Sequence, residues 1–323
     1  MLVSIVIPFY NSERYFERCV RSLFEQSYKD IEYIFVNDCS TDDSLSILKR
    51  LIEEYPQHKS KCQILEHDSW CGSAMARKSG MEVANGDYII QVDSDDYVTV
   101  DYIEKLLSAA EQTGADIVMC NYSVILPDSN SAHKQIEVCD IESLLCRIIT
   151  GEEHNGLWNK LIRTSIIKEN EIYPIPGVNM FDDKCVVVRA AYFAKSVAYV
   201  PDVCYYYNRT NPNSITTLHH KSVKMEPALS FIAMLTSFFE EHQVSKKVHD
   251  AFGHFLLSVY GFSLLYGTPI QIDELRKRCA GLSFHAVMGQ PILRIYYKLL
   301  ILCDRIHLRF LVRLLRYAVR RLK

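Results

Sequence analysis

Four short apolar runs, separated by three stretches with helical spacing, fill the first 92 residues, and this alternation restricts the fold more than any other feature. Val3 to Pro8 is apolar almost throughout, as a strand buried on both faces requires. Ser12 to Gln26 then places Tyr15, Phe16, Cys19, Val20, Leu23 and Phe24 on one helical face. Ile31 to Asn37 reads as a second strand and Thr41 to Glu54 as a second helix, with Ser40 or Thr41 as its cap. Gln63 to Glu66, Ser73 to Ala84 and Tyr88 to Val92 follow as strand, helix and strand. This βαβαβαβ order predicts a mostly parallel sheet with helices on both faces. Ligands of such sheets bind beyond the carboxyl ends of the strands.

Further along, Asp101 to Thr113 reads as a helix closed by Gly114. Asp116 to Leu126 and Gln135 to Val138 are expected strands around a polar loop, Pro127 to His133. Helices are expected around Ile141 to Thr150 and Trp158 to Asn170. Tyr173 to Met180 reads as a loop, Asp182 to Ala194 as a helix and Ser196 to Tyr207 as extended chain. From Lys221 onward the pattern is helical. The expected division is a domain over 1–218, with halves 1–115 and 116–218, and a helical region over 219–323. A net charge of −3 gives no case for nucleic-acid binding. The 11 cysteines lack CxxC spacing, so they read as buried thiols in a reducing compartment rather than zinc ligands. The first residues read as a strand rather than a leader peptide, and no run is apolar for long enough to span a membrane. The expected location is the cytoplasm, or the inner face of the cell membrane.

Four loops carry candidate chemistry. Val92-Asp93-Ser94-Asp95-Asp96 follows a strand directly, and its D-x-D spacing can set one carboxylate near a ribose and one on a hard divalent cation. Capping of the next helix is the ordinary explanation for such a turn. Asn37-Asp38-Cys39-Ser40-Thr41-Asp42 ends another strand, and Asp38 is placed to accept hydrogen bonds from a base or ribose. Pro8-Phe9-Tyr10-Asn11 ends the first strand, where Tyr10 can stack on or flank a base. Gly72 opens a helix of small residues from which Arg77 can pair with phosphate.

Together these motifs resemble family 2 of the inverting glycosyltransferases. The chain has the family's Ser4-Ile5-Val6-Ile7-Pro8 opening, its Asn37-to-Asp42 turn, its glycine-to-Ala76-Arg77 helix and its Asp93-Ser94-Asp95-Asp96 site, in order. Asn37 and Cys39 stand where the family usually has Asp and Gly, and Lys78 where it has Asn. The resemblance implies an α/β, Rossmann-like nucleotide-binding sheet of the glycosyltransferase A type. It further implies that Pro8 and Tyr10 contact the base, Asp38 binds it, Arg77 lies near the nucleotide, Asp93 holds the ribose and Asp95 the metal, Mn²⁺ or Mg²⁺. Whether Asp96 also reaches the metal stays open. Inversion needs a general base for the acceptor hydroxyl, and Met180-Phe181-Asp182-Asp183-Lys184 matches the family's acidic pair, with Asp183 favoured and Asp182 second. Trp158 and Lys160 match an element near the acceptor, as a sugar platform or core tryptophan and as a phosphate-facing lysine. Arg209 matches a segment that closes over the diphosphate.

The implied reaction moves a hexose or N-acetylhexosamine from a nucleotide diphosphate sugar, UDP favoured, to a glycan or lipid-linked acceptor in cell-surface polysaccharide synthesis. The alternative is an inactive sugar-nucleotide-binding or scaffold subunit. A nucleotidyltransferase would need a Gly-rich basic loop after the first strand, where this chain has Pro8-Phe9-Tyr10-Asn11. In the tail, 291–323, arginines interleave with Leu308, Phe310, Leu311, Leu314 and Leu315, which reads as a basic amphipathic helix for an anionic membrane surface or for packing on protein. The sequence leaves the oligomeric state open.

Overall fold

A computed structural model describes residues 1–127, 129–133, 140–212, 214, 225–283, 287–289 and 293–321. The chain divides into two compact units, Met1–Ile148 with Glu153–Leu218, and Ile149–Glu152 with His219–Lys323.

The first unit is built on a nine-stranded sheet. Its strands are β1 (Val3–Phe9), β2 (Ile31–Asn37), β3 (Cys62–Glu66), β4 (Tyr88–Gln91), β5 (Tyr97–Val98), β6 (Ile117–Ile125), β7 (Asn130–His133), β8 (Lys160–Arg163) and β9 (Val197–Asn208). They run in the order β3-β2-β1-β4-β8-β6-β9-β5, with β7 on β6. β3, β2, β1 and β4 are all parallel, with Val3 opposite both Ile31 and Tyr88. Every residue of β1 is buried, as its apolar run demands. The other half is mixed: β6 and β9 are parallel, whereas β8 is antiparallel to both β4 and β6.

The helices of this unit are α1 (Glu13–Phe24), α2 (Ser44–Glu54), α3 (Ser73–Val83), α4 (Tyr102–Thr113), α5 (Ile141–Thr150), α6 (Thr164–Glu169) and α7 (Asp182–Phe193). The apolar stripe of α1 buries Phe16, Cys19, Val20, Leu23 and Phe24 in a core with Phe9, Tyr33 and Phe35. α3 lies against β1 so closely that a Cβ on Gly80 would meet Val6 at 2.4 Å.

Three local expectations need correction. The helix expected over Trp158 to Asn170 is a strand and then a short helix, because Lys160–Arg163 fills the slot between β4 and β6. Part of the loop expected over Pro127 to His133 is β7, which extends β6 as a hairpin. α2 begins at Ser44 rather than Thr41, and the Asp42 carboxylate accepts from the Ser44 N–H at 3.1 Å. The strand expected over Gln135 to Val138 lies outside the described residues.

The second unit contains α8 (Met225–Glu241), α9 (Lys246–Tyr266), α10 (Pro269–Arg278), α11 (Ile295–Arg305) and α12 (Arg309–Arg321). Thr268 and Gln271 close a reciprocal capping box at the start of α10. Asp304 of α11 is bound by Arg276 and by the Tyr260 hydroxyl, which fixes α11 to α9 and α10. Among the described residues, no helix is long and apolar enough to cross a membrane.

Candidate functional site

The parallel strands end together, and the loops after β1, β2, β3 and β4 gather at that edge. At its centre is Arg77, buried on α3 with its side chain only 10% exposed. Its guanidinium bonds Asp93 after β4 at 2.7 Å and Asp182 at the start of α7, and lies 3.3 Å from Asp183. Burial alone would discharge the group, but the carboxylates of Asp183, Asp182 and Asp93 hold its pKa well above the ordinary arginine value. Residues far apart in sequence thus meet on one cation. Ser73 and Asn179 add to the junction: the Ser73 hydroxyl donates to Asp182, and Asn179 Oδ1 accepts from the Ala74 N–H at 3.2 Å. Gly72 adopts φ +88°, and any Cβ there would strike Asn179 at 2.4 Å.

The three carboxylates after β4 have separate environments. Asp93 pairs with Arg77. Asp95 accepts from Asn211 Nδ2 at 2.9 Å, and burial, reinforced by the charge of Asp93, pushes its pKa up to about 6. Asp96 is fully buried and accepts from the Tyr205 hydroxyl and from the Asn208 N–H at 2.6 Å. These bonds tie the loop after β4 to β9. Asp93 and Asp95 crowd negative charge with oxygen donors, which suits a hard divalent cation.

Asp183 sits in the first turn of α7, after Phe181 in a left-handed conformation at φ 69°. Burial pushes its carboxyl up to about 7, against the opposing pull of Arg77. A carboxyl poised near neutrality has the proton affinity of a general base.

Pro8 is buried in β1 opposite Val36, whereas Tyr10 just beyond it is 44% exposed. Asp38 is less open than its sequence position suggested. Oδ1 accepts from the Cys71 N–H at 2.9 Å and from His67 Nδ1 at 2.8 Å, and Oδ2 from the Gly72 N–H at 2.7 Å. A carboxylate offers about four lone-pair positions, so these bonds leave about one for a ligand. The other His67 nitrogen meets Ser79 Oγ at 2.9 Å. Asp38, His67 and Cys71 also bring potential ligand atoms within 4.8 Å of one another. That set is softer than the carboxylates after β4, and Asp38 already uses it to hold loop 67–72.

Trp158 and Lys160 are both buried. Trp158 is 3% exposed and stacks on Tyr205 at 4.4 Å, so the core reading, not the sugar platform, describes it. Lys160 is fully buried and donates to the carbonyls of His154 and Gly156 and to Asn159 Oδ1. The expected phosphate-facing ammonium is instead a staple of loop 154–159, and burial lowers its pKa to about 8. Arg209 is exposed just past β9, two residues before the Asn211 that holds Asp95.

Sequence reasoning missed Trp70, His67, Asn179, Asn208 and Asn211. Their roles depend on loops that meet only in the fold. Trp70 alone carried a signal, as one of two tryptophans in the chain and set in a polar segment.

Residues 4–186 match the model of the family described as Glycosyl transferase family 2. EpsH of Bacillus subtilis (strain 168) is 31% identical over 248 residues, covering 74% of this chain and 70% of EpsH. The glycosyltransferase GlyG of Streptococcus pneumoniae serotype 4 is 28% identical over 67% of this chain and 73% of GlyG. Among solved structures, S. aureus TarS 1-349 in complex with UDP-GlcNAc superposes with a TM-score of 0.76 at 18% identity, over 99% of this chain and 92% of that one. The mannosyltransferase PcManGT from Pyrobaculum calidifontis, in complex with GDP-Man and Mn²⁺, gives 0.56 at 14% identity, over 98% and 86%. At those identities the structural likeness is one of fold.

Proposed function

The chain belongs to glycosyl transferase family 2, and from that premise we propose that it transfers a hexose or N-acetylhexosamine, with inversion, from a nucleotide diphosphate sugar to a glycan or lipid-linked acceptor. UDP is the favoured carrier, in line with the complex of TarS with UDP-GlcNAc, and cell-surface polysaccharide is the favoured product class. The observation that carries the reading is the Arg77 cluster, which joins Asp93 of the nucleotide half to Asp182 and Asp183 of the acceptor half.

In this reading Tyr10 and Asp38 receive the base and Asp93 the ribose, while Arg77 lies near the nucleotide and holds the carboxylates that surround it. Asp95 would hold Mn²⁺ or Mg²⁺, which when bound supplies neutralising charge to the leaving diphosphate. Asp183 takes the proton of the acceptor hydroxyl as that oxygen bonds to the anomeric carbon. The anomeric C–O bond breaks on the opposite face, and its electron pair leaves with the nucleoside diphosphate. Asp182, bound to Arg77 and Ser73, holds the start of α7 in place.

The test is a panel of UDP-, GDP- and dTDP-sugars with Mn²⁺, with nucleotide release and the anomeric configuration of the product as readouts. Retention of configuration would refute the single displacement. Tight donor binding without release on any acceptor offered would favour the inactive binding subunit.

Peripheral attachment to an anionic membrane is part of the same proposal. Phe310, Leu314 and Tyr317 recur at helical spacing on α12 and are 75%, 53% and 56% exposed, with Arg313 exposed beside them. Val319 turns inward, and Arg316 is bonded to the Leu265 carbonyl at 2.8 Å. An exposed apolar stripe flanked by arginines fits a lipid surface. Sedimentation with anionic vesicles at low salt should be lost in a triple Ser variant of these three residues, and equal sedimentation would refute the attachment.

A further inference from the structure

Loop 67–72 is anchored at both ends while the ring it carries is left in water. The His67 N–H donates to the Asn37 carbonyl at 2.9 Å, and the Cys71 and Gly72 N–H groups donate to Asp38. Between these anchors the Trp70 indole is 59% exposed. Of the exposed Phe, Tyr and Trp side chains among the described residues of the first unit, Tyr10 is its only companion. The two ring centroids are 6.3 Å apart, with planes inclined at 54°. They are neighbours that do not stack, and they form an exposed wedge on the loop that the buried Asp38 carboxylate anchors. A flat aromatic guest between two parallel rings needs a separation of about 7 Å, two ring-to-ring contacts of roughly 3.5 Å each. The wedge is near that spacing, and exposed side chains rotate within nanoseconds.

We propose that Trp70 and Tyr10 form a two-sided clamp on the donor's nucleobase, with Trp70 as the second wall. The inference rests on the reading of this edge as the nucleotide site and adds a binding residue to it. Stacking does not depend on the hydrogen-bonding pattern of the base, so the clamp supplies affinity, while the lone pair left on Asp38 supplies choice among bases. Asp38 then serves the base twice: by accepting from it, and by fixing the loop that carries Trp70.

The chain's two tryptophans make the test direct. Trp158 is buried against Tyr205, Tyr122 and His154, so a change in indole emission on adding UDP reports Trp70. UDP with Mn²⁺ should change the emission of the wild-type protein, and Trp70→Phe should abolish that change while keeping UDP affinity within about threefold. In calorimetry Trp70→Ala should weaken UDP about tenfold, in keeping with the loss of one stacked ring, and leave inorganic pyrophosphate unaffected. Trp70 is exposed, so the Ala variant should unfold at the wild-type temperature. UDP affinity equal in wild type and Trp70→Ala would overturn the clamp alone. A wild-type protein that binds none of UDP, GDP and CDP would overturn the clamp and the nucleotide site together. Equal weakening of UDP and pyrophosphate would overturn the clamp by showing a general disturbance of the loop.

Discussion

Replacing Asp183 with Asn should make the protein more stable and nearly inactive, and the two effects have one cause. Burial holds the Asp183 carboxyl at about 7 against an ordinary 3.8, while Arg77 pulls the other way. The unfolded chain therefore ionises at this residue from pH 3.8 upward, and the folded chain resists until about 7. Stability from the raised pKa is complete below pH 3.8 and is lost as the pH climbs to 7. At about 1.4 kcal/mol per unit, roughly three units give about 4 kcal/mol as an upper bound. The side chain is 19% exposed, and solvent screening reduces the bound to about 2 kcal/mol. Asn carries no such loss. Asp183→Asn should match the wild type near pH 4 and exceed it by about 2 kcal/mol at pH 8. Turnover should fall by about 10²–10⁴-fold, as expected for a lost general base. Urea unfolding at pH 4.5, 6 and 8 without metal measures the first effect, and nucleotide release at saturating donor the second. A stability difference that does not grow with pH would refute the reasoning, as would an Asn variant of lower stability at pH 8.

Other consequences can be checked independently. Arg77→Met leaves Asp93, Asp182 and Asp183 without their shared cation, and should cost about 3–5 kcal/mol in urea unfolding at pH 7.5. Arg77→Lys should recover only part of this, because an ammonium lacks the guanidinium fork. Asp95 binds protons up to about pH 6, so the Mn²⁺ concentration for half-maximal activity should rise about tenfold per pH unit below that point. Asp95→Asn should raise it at every pH. Cys39 is held at φ 63°, a left-handed conformation that costs a residue with a Cβ about 1–2 kcal/mol. Cys39→Gly should therefore raise the melting temperature, and a fall would show that the thiol's contacts outweigh the strain.

How much was legible depended on how local the determinants were. β1, β2, β3 and β4 are announced by apolar runs at the expected positions, and the loops carrying Asp38 and Asp93 follow directly, so that half of the site could be read along the chain. β8 was misread as helix because its apolar residues are too few to set a period, and its pairing with β4 and β6 is decided by chain more than 40 residues away. The same limit applies to Lys160. Its neighbours in sequence suggest an exposed cation, and only the folding of loop 154–159 onto its ammonium reveals the staple. Asn211 and Asn208 reach Asp95 and the loop around it from the far end of β9. Nothing in a window of sequence connects them. Trp70 is an intermediate case, conspicuous by residue type but meaningful only beside Tyr10.

Because one guanidinium is bonded both to Asp93 and to Asp182, the chain before residue 115 and the chain after it are not interchangeable modules. A chimera joined near residue 115 would inherit Arg77 and Asp93 from one parent and the Asp182–Asp183 pair from the other. Its success would turn on whether those four groups still balance as a set. Any exchange of the later segment should therefore carry the α3 arginine and its α7 partners as a single inherited block.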